Sequence, residues 1–89
     1  MRTLEVTNYN MRNVEQDVLS IDTGNRNAAD ASKRVHIVGN LLGTIATMSK
    51  TSSHTIKLRK TFIRKAKRLL AEANELLTGT SVTLTAQIS

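Results

Sequence analysis

Ala31, Val35, Val38, Leu42 and Ile45 follow one another at steps of four, three, four and three residues. That spacing is the seam of a helix that lies lengthwise on another helix. Leu41 and Met48 widen the stripe. A second stripe answers it further along the chain. At about 100° per residue, Phe62, Ile63, Ala66, Leu69, Leu70, Ala73, Leu76 and Leu77 fill one arc of a helix. Each stripe needs a cover, and each is the obvious cover for the other. This mutual requirement constrains the fold more than any other feature of the chain.

Between the stripes lies SKTSSHT, residues 49–55. Its hydroxyls compete for backbone hydrogen bonds inside a helix and suit a helix start. One unbroken helix over 28–78 would also far exceed the usual length of about 11–12 residues. The reading is therefore mainly α: an antiparallel hairpin of helices over 28–49 and 54–78. Ser52 or Ser53 caps the second helix, and Gly79 stands where a left-handed C-cap belongs. Asn27, with Asp30 three residues on, reads as an approximate capping box for the first.

A shorter helix precedes the hairpin. Met11, Val14, Val18 and Ile21 share one helical face, so a helix is expected over 10–21, capped by Asn8 or Asn10. The sequence DTGNRN ends it, with Gly24 free to take positive φ. At the two ends the period changes. Leu4 and Val6 alternate with polar residues over 2–8, and Val82, Leu84, Ala86 and Ile88 do so over 80–89. Both segments read as extended or β-like arms with one buried face, which must pair with each other or with another subunit.

With 89 residues and no cysteine, the chain is one small domain without disulfide staples or thiolate metal sites. Domains of this size usually draw extra stability from oligomerisation or a larger partner. Gly39 and Gly43, in GNLLG, fall on one helical face and are candidates for close contact. With Val82, Leu84 and Ile88 they form the expected interface set.

The charge is sharply segregated. The net +6 conceals residues 31–71, which carry ten Lys or Arg and no acid. Seven of these ten lie in KLRKTFIRKAKRLL, residues 57–70. Lys57, Lys60, Arg64, Lys65, Lys67 and Arg68 oppose the apolar arc, and Arg59 falls toward it. Solvated helix faces usually mix signs, because Glu–Lys pairs four residues apart contribute about 0.2–0.5 kcal/mol each. Cations leading and Glu72 and Glu75 trailing also runs against the helix dipole. The pattern implies an anionic partner.

Nucleic acid is the first expectation, either DNA or RNA, held by its phosphates with little sequence preference. Lys33, Arg34 and Lys50 are candidates to extend the patch. Tyr9 and Phe62 are the only aromatic residues, which leaves no stacking platform for single strands. The alternatives are an acidic protein surface, met either by a structural subunit of a large assembly such as a virion or by an inhibitor. In either case a homo-oligomer or larger complex is expected. A membrane surface is disfavoured, because the apolar arc of the basic helix is needed by its partner helix.

Catalysis is not expected. There is no glycine-rich phosphate loop, nucleophile elbow or metal-ligand spacing, and no cofactor or metal is implied. His36 reads as a helix-flank residue and His54 as a turn residue. No secretory signal or membrane span is recognisable, which gives a cytoplasmic or virion setting as the expectation.

Overall fold

A computed structural model describes residues 2–21 and 26–88. The elements run β1 (Arg2–Glu5), α1 (Met11–Leu19), α2 (Arg26–Thr47), α3 (Ser53–Leu76) and β2 (Val82–Thr85). The chain is mainly helical, with a two-stranded sheet made from its two ends. The turn assigned to Gly24 lies outside the described residues.

The two apolar stripes are buried as their spacing requires. Ala31, Val35, Val38 and Ile45 of α2 are buried, as are Ala66, Leu69 and Ala73 of α3, and Leu42, Leu70 and Leu76 are half-buried against them. Val14 and Val18 of α1 close the core, with Val6, Leu77, Val82 and Leu84 contributed from outside the helices. The largest fully buried side chains are all valines: Val6, Val18, Val35 and Val38. Small side chains at the centre let the helices approach closely, and the core is correspondingly thin.

Helix boundaries follow local chemistry. Ser52 caps α3, its hydroxyl accepting from Thr55 N–H at 3.5 Å. Gly79 takes φ +88° just beyond the helix, where Thr80 N–H turns back to Leu77 O at 3.0 Å. Asn10 precedes α1, but its side chain does not cap the helix. The amide is already committed: Oδ1 accepts from Thr7 N–H at 2.7 Å and Nδ2 donates to Glu5 O at 2.8 Å. Asn27, expected to flank the helix as its cap, lies inside α2, which already includes Arg26. A cap must flank the helix, not belong to its first turn.

The sheet is parallel, in the register Arg2↔Val82, Thr3↔Thr83, Leu4↔Leu84 and Glu5↔Thr85. Its strands are shorter than the alternating segments that announced them, and they pair within the chain. A parallel pair needs a long crossover, and the three helices supply it. Val82 and Leu84, 7% and 2% exposed, point into the core, while Thr85 points out.

Both interior glycines of α2 face the segment that follows β1. A Cβ at Gly39 would collide with the Met11 side chain, and one at Gly43 would stand 2.6 Å from Asn8 Oδ1. The GNLLG face is thus occupied by the protein's own α1 entrance. The resulting body measures 45 × 21 × 20 Å. The 24 residues of α3, about 36 Å long at 1.5 Å per residue, set its long axis.

Candidate polyanion-binding face

The burial of Ala66, Leu69, Ala73 and Leu77 fixes the rotation of α3 and therefore what its opposite side presents. Lys57, Lys60, Arg64, Lys65, Lys67 and Arg68 are all exposed there. They lie within about 80° of Lys57 on either side and span about 17 Å of helix axis. Among the described residues, no carboxylate comes within ion-pair distance of Lys57, Lys60, Arg64, Lys65 or Lys67. Thr61, Arg64, Lys65 and Arg68 line a shallow groove of about 370 Å³. The Thr61 hydroxyl donates to Lys57 O at 3.2 Å, which leaves its oxygen facing the cations as an acceptor.

Glu72 bounds this face. Its Oε1 takes Arg34 Nε at 3.2 Å from α2, and its Oε2 takes Arg68 Nε at 3.7 Å from one turn back. Arg34 is further anchored by donating from Nη1 to Asp30 O at 3.0 Å. Three charges at one corner thus leave a single net positive charge. Beyond them the surface turns acidic, with Glu72 and Glu75 lining a second hollow beside Asn27, Arg34 and Leu76. The cationic field is therefore concentrated on the first two-thirds of α3, over the end of the helix whose dipole is already positive.

The other candidate cations separate from this face. Arg59 is half-buried and lines a cavity of about 360 Å³ together with Lys50, Glu5, Val6, Ile45 and Ile88. Its position on the apolar arc turns it toward β1, not toward the exposed cations. Lys33 is exposed on α2 with no ion pair. Of the ten cations singled out in the sequence, six share one surface, two share a cavity, Arg34 pairs from α2 with the same Glu72 that holds Arg68, and Lys33 stands apart.

Two relationships escaped the sequence. His36 Nδ1 lies 3.4 Å from Glu15 Oε2, across the contact of α1 with α2. Asn74 of α3 reaches the backbone of Leu84, a link that no spacing signals. The Arg68–Glu72 pair, by contrast, was readable at i,i+4. No group of three or more His, Asp or Glu able to hold a metal occurs among the described residues. None of their helices is long and apolar enough to cross a membrane. Comparison with protein families, characterised proteins and solved structures finds no match to this chain.

Proposed function

We propose that this protein is a non-enzymatic nucleic-acid-binding protein that grips the phosphate backbone with the exposed face of α3. The supporting frame is an antiparallel hairpin in which α2 covers the apolar arc of α3 and so fixes which side faces outward. One observation carries the reading. Lys57, Lys60, Arg64, Lys65 and Lys67 crowd one side of a helix with no acidic partner among the described residues. Such a face lowers its own repulsion by meeting phosphates, releasing their counterions as it does so. Arg68 can join when it swings from Glu72. With Phe62 half-buried and no other aromatic on α3, the contacts are electrostatic and sequence-tolerant.

The test is binding to random duplex DNA and RNA as a function of salt. Five or six phosphate contacts predict a slope of log K against log salt of about −4.5 to −5.4, or a roughly thousandfold loss between 50 and 200 mM salt. Replacing Arg64, Lys67 and Arg68 together by Gln should flatten the slope by about 2.7. Absence of binding at 50 mM salt refutes the proposal and leaves an acidic protein surface as the partner of this face.

A further inference from the structure

The two edges of the small sheet are finished differently. Arg2 N–H donates to Ser81 O at 2.6 Å and Val6 N–H to Thr85 O at 2.8 Å. In a parallel pair this parity means that even residues of β1 and odd residues of β2 face the shared ladder. The outward groups are then those of Thr3 and Glu5 on β1 and of Val82 and Leu84 on β2.

On β2 three of the four outward groups are taken. Asn74 reaches over from α3 and treats Leu84 as a neighbouring strand would, donating to its carbonyl at 2.8 Å and accepting from its N–H at 2.7 Å. The Thr80 hydroxyl accepts from Val82 N–H at 3.3 Å, while its own hydrogen goes to Leu77 O at 2.6 Å. On β1 the Glu5 carbonyl accepts from Asn10 Nδ2. Among the described residues, the Thr3 N–H, the Thr3 carbonyl and the Glu5 N–H bond to nothing. An open edge of this kind is a template for another strand.

We infer that β1 pairs antiparallel with β1 of a second copy, making a two-fold dimer with a continuous four-stranded sheet. The occupant follows from the chain itself. It offers one open edge, so edge-to-edge association of two copies must be β1 on β1, which closes after two subunits. Parity then limits the register, because only outward residues can exchange bonds. Pairing Thr3 with Glu5 of the copy places Leu4 opposite Leu4 on the axis and uses four backbone hydrogen bonds, two of them to the lone pair of the Glu5 carbonyl that Asn10 Nδ2 leaves open. Centring on Glu5 would set two carboxylates face to face, and centring on Thr3 would leave Glu5 without a strand partner. The accessible part of half-buried Leu4 gains an apolar neighbour. The charge also suits association: residues 2–21 carry two Arg against three acids, whereas the excess of cations lies on α3. Because Asn74 ties α3 to the β2 edge, the cationic helices would flank the sheet on opposite outer sides.

Sedimentation equilibrium of nuclease-treated protein in about 0.5 M salt, where nucleic acid cannot bridge copies, should give about twice the monomer mass of 9.8 kDa. Thr3→Pro removes an outward N–H and leaves the ladder to β2 intact. It should weaken the dimer at least tenfold while the circular dichroism spectrum is unchanged. The chain has no cysteine, so register can be read by cross-linking. An equal mixture of Thr3→Cys and Glu5→Cys proteins should form disulfide dimers on mild oxidation, since directly paired residues have Cα atoms about 5.5 Å apart. Each variant alone, two positions out of register, should not. A monomer persisting to millimolar concentration overturns the inference, as does a Thr3→Pro protein that dimerises undiminished. Equal cross-linking of the mixture and the single variants also overturns it.

Discussion

Replacing Asn74 by Ala deletes the one side chain that satisfies both backbone groups of Leu84 on their outer side. Leu84 is 2% exposed, so water cannot easily replace the lost amide. A buried polar group left without its partner costs about 1–3 kcal/mol. Two such groups, with partial relaxation, come to about 2–4 kcal/mol. Ala is the better helix former by about 0.5 kcal/mol, which leaves a net loss of roughly 1.5–3.5 kcal/mol. A domain of this length has a total stability of about 4–13 kcal/mol, so the loss is a large fraction of it. At about 4–8 °C per kcal/mol, the melting temperature should fall by roughly 6–28 °C. Urea denaturation and thermal unfolding followed by circular dichroism both read this directly. Asn40→Ala is the control, an exposed α2 position with no side-chain hydrogen bond among those described, and should move stability by less than about 0.5 kcal/mol. If Asn74→Ala behaves like the control, the amide is not holding the β2 edge and the reasoning fails.

Gly39→Val should cost about 1–3 kcal/mol by driving a branched side chain into Met11. Combining it with Met11→Ala should recover part of that loss, and a double-mutant cycle in urea should show coupling of at least about 0.5 kcal/mol. Glu72→Gln should change stability by less than about 1 kcal/mol, because the side chain is 38% exposed and its ion pairs are screened. The same substitution should tighten binding to duplex DNA and make the salt slope steeper by about 0.9 per cation released. Weaker binding would show instead that Glu72 positions Arg68 for its partner.

Much of this architecture was written in spacing. The buried stripes of α2 and α3, the break before Ser52 and the left-handed Gly79 follow from rules that act within a few residues of each site. The direction of the sheet was not legible, because alternation at Val82 and Leu84 specifies a buried face and says nothing about which way a partner runs. The same limit applies to Asn27, which resembles a cap in sequence yet lies inside a helix that begins earlier. The exposed cations of α3 were readable because the apolar arc fixes their side. Arg59 was readable as the exception and leaves the group. The contact of Arg34 with Glu72 was not legible, since it spans the packing of two helices and leaves no periodic trace. The glycine pair announced a close approach without naming Met11 and Asn8, because a missing side chain says how near a neighbour lies and not which neighbour it is.

The pairing of β1 with β2 has a consequence for the order of assembly. Arg2 and Val82 are neighbours in space although about 80 residues separate them in the chain. Closing a loop of that length costs about 4 kcal/mol of chain entropy plus a constant. Contacts between α2 and α3 cross a connection of only a few residues, so they form before that cost is met. The helices consequently bring the two ends into range, and the sheet completes the structure last. Until then β1 is a strand with neither edge filled, and during synthesis it waits for the roughly 80 residues that separate it from β2. The step that finishes the monomer is thus also the step during which the chain is most open to pairing with the wrong copy.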